Sequence, residues 1–460
     1  MDHIYDLLLK DSLVVTPAGP EKINIAVKDG QIAALLDPEI PVKAAEELRL
    51  NGRIVLPGAI DTHAHLSLHE DFDYGTKSAA RGGVTTVLEM PLSRLMPNIV
   101  NGQLFEQCKE FIENTAHVDI ALWGALMPEN LDQMDVLYQK GCVAYKAFLS
   151  DPGDGYSGMD DYSMLQAMEK NAQLGSRIGI HCENRMLLNG LKQNYQKKTP
   201  QWSDIRKSHP IIAEKEASIR AALLADSVHC PIHICHVTND ETIDLLTERR
   251  NNGTDLTIET CPHYLLLNED DLEKYEGYAN VFPPLRNKAS VEKMWDRVLS
   301  GKIDVIGSDH SAISSTEKDK DIWEVPGGFP GIDLLLILLY SEGVRKRGMS
   351  LNRLADLTSS NAAKIFGLSP RKGLIQIGSD ADFAVINPDI EWEFHSADAF
   401  YRQKSEKYPY EGKKITGQVE MTLVRGQIIY RDSEIRVEKY GTFIPAVHRQ
   451  PSCTTASVSL

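Results

Sequence analysis

The stretch Leu56-Pro57-Gly58-Ala59-Ile60-Asp61-Thr62-His63-Ala64-His65 marks a change in the pattern of this chain. Before it, short apolar and β-branched runs are separated by turn residues such as Asp29-Gly30, which indicates strands. After it, and as far as about Gly367, strand-like apolar runs alternate with helical segments. The quoted stretch therefore predicts the beginning of an α/β domain.

Eight apolar runs in this region predict strands. They are Ala59–Leu66, Thr85–Met90, Ile120–Leu126, Val143–Leu149, Ile178–Cys182, Ile232–Val237, Leu256–Thr260 and Val305–Ser308. Eight strands with helices between them are typical of a (β/α)8 TIM-like barrel. A doubly wound open sheet is the alternative, but no Gly-rich phosphate-binding fingerprint follows the first strand.

Strand patterns return after Arg371, in Ala381–Ile386 and in the run from Met421 to Tyr430. Together with the N-terminal strands they predict a small β-sandwich domain built from both ends of the chain. The expected boundaries are residues 1–57 and 371–445 for this domain, 58–370 for the barrel and 446–460 for a tail.

The bulk composition fits an ordinary globular protein: 460 residues, 42% hydrophobic and 25% charged. A net charge of −16 without a large Lys/Arg cluster argues against a nucleic-acid partner.

The N-terminus lacks the pattern of a signal peptide, and the most apolar helical stretch, Leu334–Tyr340, is too short to span a membrane. Seven cysteines without a CxxC pair predict free thiols and a cytoplasmic location.

Polar side chains end several of the predicted strands. His63 and His65 are two residues apart on a strand, so they point to the same side. His181, His236 and Asp309 each close another apolar run. Barrel active sites are built at the C-terminal ends of the strands, and imidazole and carboxylate groups suit zinc and similar ions. The pattern therefore predicts a metal site.

Lys146 also ends an apolar run, where a buried ammonium group would be costly. One interpretation is a lysine whose amine reaches outward to solvent. The other is a neutral amine that has captured CO2 as a carbamate, an anion able to bridge two metal ions.

Several short motifs are distributed over nearly the whole chain. They are Leu56 to His65, Tyr145-Lys146-Ala147-Phe148, His181-Cys182-Glu183-Asn184, His236-Val237, Cys261-Pro262-His263-Tyr264, Pro283-Pro284-Leu285-Arg286, Ser308-Asp309-His310-Ser311, Asn361-Ala362-Ala363-Lys364 and Gly378-Ser379-Asp380-Ala381-Asp382. In these motifs the sequence resembles the cyclic amidohydrolases of the amidohydrolase superfamily, which include allantoinases, dihydroorotases, hydantoinases and dihydropyrimidinases.

This resemblance implies two divalent metal ions per subunit, most readily zinc, with manganese, cobalt, nickel and iron as alternatives. His63, His65 and Asp309 would hold one ion, His181 and His236 the other, and carboxylated Lys146 (N6-carboxylysine) would bridge them. A bridging hydroxide would attack the amide carbonyl of the ring, and Asp309 would be the catalytic residue that carries the proton to the leaving nitrogen. The resemblance also implies a small cyclic ureide substrate and a homotetramer.

Two positions favour allantoinases within this group. Ser67 stands where dihydroorotases carry an arginine, and Asp151 stands where dihydropyrimidinases and hydantoinases carry a tyrosine. We therefore expect hydrolysis of allantoin to allantoate, a step of purine catabolism. The alternatives are hydrolysis of another cyclic ureide and, in a different class, a non-catalytic scaffold. The expected substrate contacts are Ser67, Asn184, Pro283 and Ser311.

Two loops depart from the allantoinase pattern. Leu68-His69-Glu70-Asp71-Phe72 lacks the Glu-Pro-Gly usual after the first barrel strand. The loop from Ala312 to Lys318 lacks the usual Pro/Cys-rich turn. Both are expected to border the substrate, so they bear on the identity of the ring.

Overall fold

A computed structural model describes residues 5–153, 155–197 and 199–448 of the chain. The strands along these residues are β1 (Tyr5–Thr16), β2 (Gly19–Lys22), β3 (Asn24–Lys28), β4 (Gln31–Leu36), β5 (Ala44–Pro57), β6 (Ala59–Ala64), β7 (Val84–Glu89), β8 (Asp119–Leu122), β9 (Gly124–Ala125), β10 (Tyr145–Phe148), β11 (Ile178–His181), β12 (Ile232–Ile234), β13 (Leu256–Thr260), β14 (Val305–Ile306), β15 (Phe383–Glu393), β16 (Lys414–Val424), β17 (Gln427–Arg431) and β18 (Glu434–Ile435).

The α-helices of the same residues are α1 (Leu66–His69), α2 (Phe72–Arg81), α3 (Gly102–Thr115), α4 (Met134–Gln139), α5 (Asp161–Leu174), α6 (Arg185–Tyr195), α7 (Trp202–Ser208), α8 (Ile211–Ser227), α9 (Asp240–Asn251), α10 (Pro262–Leu266), α11 (Glu269–Tyr275), α12 (Lys288–Leu299), α13 (Ser315–Lys318), α14 (Leu335–Leu339), α15 (Leu351–Ala355) and α16 (Asn361–Ile365). Wider π-helical turns, Tyr340–Arg345 and Asp356–Ser360, continue α14 and α15.

The barrel strands run parallel to one another in chain order. One hydrogen-bonded group joins β6, β7 and β8, and another joins β9 to β14 in sequence. At the seam between β14 and β6, Asp309 N donates to the carbonyl of His63 (2.8 Å) and His65 N donates to the carbonyl of His310 (2.9 Å). The predicted (β/α)8 fold class is confirmed, with the polar strand ends gathered at one face.

Helices between the strands begin and end where local chemistry dictates. In α5, the Asp160 carboxylate accepts a hydrogen bond from Ser163 N at the first turn. The helix stops at Gly175, whose φ of 71° is a left-handed conformation that glycine adopts without a steric penalty. Such ends keep the connections short and set each following strand against its neighbour.

The remaining strands form a separate sheet from both parts of the chain, as predicted. Its nine strands follow the order β18-β17-β16-β15-β5-β1-β3-β4, and β2 pairs with β1. The N-terminal and C-terminal halves meet where β5 pairs antiparallel with β15, with Val55 opposite Val385. Apolar side chains from both halves, including Leu9, Val27 and Phe383, pack into one buried cluster.

Six described cysteines are free and buried, whereas Cys453 lies outside the described residues. The predicted tail is described only at residues 446–448, so residues 449–460 and its Ser/Thr-rich end also lie outside. Within the described ranges, no helix is both long enough and apolar enough to cross a membrane.

Candidate metal centre

A cavity of ≈ 440 Å³ opens at the C-terminal ends of the barrel strands. The six residues expected to bind metal all line it: His63, His65, Lys146, His181, His236 and Asp309. They come from five different strands or the residues just beyond them, since His63 and His65 both belong to the end of β6. The cavity therefore brings together four imidazoles, one carboxylate and one amine.

His63, His65 and Asp309 form the first half of this cluster. Oδ1 of Asp309 lies 3.4 Å from Nε2 of His63 and 3.7 Å from Nε2 of His65. One ligand atom from each of the three residues lies within 4.8 Å of the others. Burial favours the neutral acid, but His63 and His65 outweigh it and lower the pKa of Asp309. Asp309 is therefore held as a carboxylate.

Glu259, on β13, fixes the orientation of His63. Nδ1 of His63 donates to Oε1 of Glu259 at 2.7 Å, and both side chains are buried. Burial opposes ionisation, but the His63 imidazole holds the pKa of Glu259 well below its usual range. With Nδ1 engaged, Nε2 of His63 is left facing Asp309, as expected of a histidine that ligates metal through one nitrogen and is oriented through the other.

The second half of the cluster repeats this arrangement. Nδ1 of His181 lies 3.1 Å from Nε2 of His236, so the two rings direct nitrogens toward a common point. Nε2 of His181 donates to Glu183 at 2.9 Å, and the other oxygen of Glu183 accepts from Nδ1 of His209 at 2.8 Å. Glu183 therefore orients His181 as Glu259 orients His63.

Lys146 lines the same cavity as both halves and is completely buried. Its Nζ lies 5.0 Å from the ring centroid of Phe148 and has no hydrogen-bond partner among the described residues. The interpretation in which this amine reaches outward to solvent is wrong, because the side chain is inside. A buried ammonium without a partner is costly, so this position fits an amine modified or engaged by a further group.

The residues present fit two divalent ions. Imidazole nitrogens and carboxylate oxygens are the donors that zinc and its neighbours accept, and the clustered groups include more donors than one tetrahedral ion uses. Lys146, whose Nζ has no hydrogen-bond partner in the described part of the chain, lines the same cavity as these donors, where a carbamate would supply the additional anion.

The backbone at the site is unusual at two of these residues. His236 has a φ of 39° and Asp309 a φ of 50°, a left-handed conformation that residues other than glycine seldom adopt. Gly307, two residues before Asp309, allows the close approach of strands, because a Cβ there would lie 2.8 Å from Cβ of His63. Such strain is characteristic of functional sites, where surrounding contacts maintain it.

The four expected substrate contacts lie in different surroundings. Ser311 lines the cavity, and its Oγ is buried with no hydrogen-bond partner in the described part of the chain. Ser67 donates its Oγ proton to Glu89 (2.6 Å). Asn184 caps α6 by accepting from the backbone of Met186 and Leu187. The Pro283 carbonyl accepts from the hydroxyl of Tyr264 (2.6 Å), while its neighbour Phe282 lines the cavity.

Three residues that orient the cluster were not predicted from the sequence: Glu259, Glu183 and His209. Only Glu259 could have been recognised from the sequence as a functional residue. It is an acidic side chain inside the predicted strand Leu256–Thr260, where a charge without a partner would be costly. Two of the partners of Glu259, His63 and Thr62, are 196 and 197 residues away in the sequence. Only the fold brings these groups together.

The two loops that depart from the allantoinase pattern contact each other at the rim of the cavity. Oε2 of Glu317 on α13 lies 3.1 Å from Nδ1 of His69 on α1. The other oxygen of Glu317 forms an ion pair with the Arg94 guanidinium, which belongs to the loop after β7. We call His69, Arg94 and Glu317 the rim triad.

Comparisons with known proteins identify the family of this chain. Residues 54–429 match the model described as "Amidohydrolase family". An allantoinase from Rubrobacter xylanophilus is 35% identical, covering 96% of this chain and 97% of its own length, and one from Bacillus licheniformis is 35% identical, covering 96% and 100%. The solved structure of an L-hydantoinase from Arthrobacter aurescens superposes with a TM-score of 0.92 at 29% identity, covering 96% of this chain and 100% of that one.

Proposed function

The chain belongs to the amidohydrolase family and is a hydrolase of C–N bonds in cyclic amides, and we propose that it hydrolyses allantoin to allantoate with the help of two divalent metal ions. The observation that carries this proposal is the buried amine of Lys146, which has no hydrogen-bond partner among the described residues and lines the same cavity as four imidazoles. A non-catalytic scaffold would have no reason to maintain so costly a group.

His63, His65 and Asp309 would hold one ion, His181 and His236 the other, and Lys146 as its carbamate would join both. When bound, the ions would polarise the ring carbonyl and lower the pKa of a water molecule so that it attacks at neutral pH. We propose zinc as the resident metal and a homotetramer as the assembly, which elemental analysis and light scattering would test.

Asp309 would carry out the proton transfers of the reaction. Asp309 is held as a carboxylate and lies against His63 and His65, so its oxygens can accept the proton of the attacking water. The same group then delivers that proton to the nitrogen that leaves as the ring C–N bond breaks. One water is consumed, and the product is a ring-opened carbamoyl acid.

Glu259 and Glu183 are positioning residues in this scheme. Glu259 accepts the N–H of His63 and Glu183 that of His181, and each bond leaves the opposite nitrogen of that imidazole facing the cavity. Ser311 lines the cavity with a hydroxyl that has no partner among the described residues, and it is our proposed direct contact to the ring. Ser67, Asn184 and Pro283 would act indirectly, by holding residues of the cavity wall in position.

The identity of the ring is supported by local chemistry as well as by likeness to allantoinases. Asp151 lines the cavity and forms an ion pair with Arg185 at 3.1 Å, where the tyrosine of dihydropyrimidinases would stand. Ser67 cannot supply the cation that would hold the carboxylate of dihydroorotate. A neutral ring with a polar substituent suits this wall better than a charged or wholly apolar one.

A substrate panel tests the proposal. The metal-loaded protein is assayed with allantoin, hydantoin, dihydrouracil and dihydroorotate, following ring opening by release of the carbamoyl acid. We expect the highest kcat/KM with allantoin. Turnover of another ring without turnover of allantoin would replace our choice of substrate and leave the hydrolase assignment intact.

A further inference from the structure

Cys261, His263 and Asp309 bring a thiol, an imidazole and a carboxylate together beside the metal centre. One ligand atom from each of the three residues lies within 4.8 Å of the others. Cys261 is the residue just before α10, and His263 lies in the first turn of that helix, so one short segment places two of the three groups. We call these three residues the thiol triad. It shares only Asp309 with the residues proposed to hold the two ions.

His263 has a ring nitrogen without a partner. The residue is 3% exposed, and its Nε2 is buried with no hydrogen-bond partner among the described residues. The rings of Tyr264 and Phe329 pack edge-on against the imidazole, with centroids 4.2 Å and 5.4 Å away, and restrict its orientation. A buried polar atom that lacks a partner is costly, and imidazole is the commonest metal ligand in proteins. His263 therefore favours a cation at the thiol triad.

Asp309 connects the thiol triad to the cavity. Its carboxylate lines the cavity, where Oδ1 lies 3.4 Å from Nε2 of His63 and 3.7 Å from Nε2 of His65. A carboxylate has two oxygens and can accept two ions at once. An ion that enters the cavity therefore meets the triad at Asp309, without passing through the packed interior.

The sulfur of Cys261 determines which cations this group selects. Thiolate is a soft ligand that suits zinc, whereas magnesium, calcium and manganese prefer oxygen. Zinc binds sulfur at about 2.3 Å and nitrogen or oxygen at about 2.0–2.2 Å, so small rotations of the side chains would close the triad around it. Binding releases the thiol proton of Cys261 to solvent, and the resulting thiolate offsets part of the charge of the ion.

We propose that the thiol triad is an inhibitory site for a thiophilic divalent cation, zinc or cadmium, which engages Asp309. The inference rests on the proposed function, in which Asp309 carries the proton from water to the leaving nitrogen. A carboxylate that binds the additional ion has lost the oxygen that this transfer needs. A third divalent ion is repelled by the first two, so the site fills only when metal is in excess.

Cadmium tests this site, because elemental analysis distinguishes it from zinc. The zinc-loaded enzyme is brought to equilibrium with cadmium chloride by dialysis. We expect one cadmium ion per chain in addition to two zinc ions, together with an ultraviolet thiolate-to-cadmium absorption band. Allantoin hydrolysis should fall more than about 100-fold, the lower end of what general acid–base catalysis contributes. Excess manganese should give neither the band nor the inhibition, because it prefers oxygen ligands.

Two variants remove one ligand of the thiol triad each. Cys261→Ser should lose the band and the inhibition while it still binds two zinc ions. His263→Gln keeps the thiol, so it should need more cadmium for the same inhibition. Cys230→Ser is the matched control, because it makes the same change from thiol to hydroxyl at another buried cysteine, whose sulfur accepts from Asn171 at 3.3 Å. It should keep the band and the inhibition.

Cadmium that replaces a zinc ion rather than adding to two would overturn the inference. Equal inhibition of Cys261→Ser and the wild type would do the same. So would loss of the band in Cys235→Ser and not in Cys261→Ser, because the ion would then lie at the other buried thiol, beside His63 and Glu259. If Cys261→Ser fails to fold, His263→Gln carries the comparison.

The binding measurements separate this inference from the proposed function, since they need no substrate. If the wild type does not hydrolyse allantoin, the proposed function fails. An additional cadmium ion whose band is lost in Cys261→Ser would still support the site, and inhibition is then measured with the ring that the enzyme does open. If no additional ion binds to a folded, zinc-loaded enzyme that hydrolyses allantoin, the inference alone is overturned.

Discussion

Nδ1 of His63 donates to the carboxylate of Glu259 over 2.7 Å, with both side chains buried. The bond fixes the tautomer of His63 and leaves Nε2 directed at the cavity. Glu259 also accepts from the hydroxyl of Thr62 at 2.6 Å, so its own position is held. A metal-binding histidine is here oriented by a carboxylate from a distant strand.

Replacing Glu259 with glutamine should weaken metal binding. The amide can still accept one hydrogen bond but supplies no negative charge to the imidazole, and loss of such partners costs about 10–100-fold in metal affinity or activity. Titration with a competing chelator measures the affinity. Glu248→Gln, at an exposed position on α9, is the control and should bind metal like the wild type. Equal affinity for all three proteins would show that Glu259 does not orient a ligand.

Removing the amine of Lys146 should cost more than removing an orienting carboxylate. For Lys146→Ala we expect a loss of activity greater than about 100-fold, beyond the range for indirect partners. A small carboxylic acid added to the assay should restore part of it, because its carboxylate can take the place of the carbamate. Lys140→Ala, which breaks a surface ion pair with Glu106, is the control. Full activity of Lys146→Ala without added acid would rule out a metal-bridging role.

Lys372 joins the barrel to the β-domain through charge. Its buried ammonium lies 2.6 Å from carboxylate oxygens of Asp119 and of Asp382, and 2.9 Å from Asp380. Lys372→Met would leave buried carboxylates uncompensated, so we expect a loss of about 3–5 kcal/mol in the free energy of unfolding. Lys364→Met, at an exposed position, should change it little. Urea unfolding compares the two, and equal stability would contradict a role in holding the domains together.

Glu89 should make stability depend on pH. Burial raises its pKa from 4.5 to about 7, although Ser67 and the backbone N–H of Leu66 lower it by hydrogen bonding. The folded state therefore binds more protons than the unfolded state between these values, and stability falls as pH rises through this window. Relative to Glu89→Gln, the free energy of unfolding of the wild type should fall by on the order of 3 kcal/mol between pH 4.5 and about 7. Above about pH 7 the difference between the two proteins should stay constant.

Ser67→Ala provides a check on the same group. Without the hydroxyl that donates to Glu89, the upper end of the pH window should move higher, because a bond that stabilises the carboxylate is lost. Urea unfolding across the pH range measures both variants. A difference between wild type and Glu89→Gln that is independent of pH would show that Glu89 ionises normally.

The barrel and the polar ends of its strands were predictable because they depend on local patterns. Apolar runs closing on His181 and His236 can be read from a few consecutive residues, and the parallel barrel then brings strand ends to one face. The buried state of Lys146, in contrast, depends on packing that no short window contains.

Partners that are far apart in the sequence could not be predicted. Glu317 gives no signal of its link to Arg94, since both are ordinary surface-type charges in polar loops. The position of Ser67 after His65 predicts a substrate contact, yet its hydroxyl donates to Glu89, and only the packing of α1 against β7 shows this. The positions of the metal-site residues could therefore be predicted from the sequence, whereas the contacts around them depend on the folded structure.

Allantoin hydrolysis under metal control tests the central claim most directly. The protein is assayed as purified, after removal of metal with a chelator, and after addition of a divalent ion, with bound metal counted in each state. We predict that allantoate forms at about two ions per chain, that chelation abolishes its formation and that metal restores it. A folded protein with its metal sites filled that does not hydrolyse allantoin, or one that hydrolyses it equally well without metal, would contradict the account.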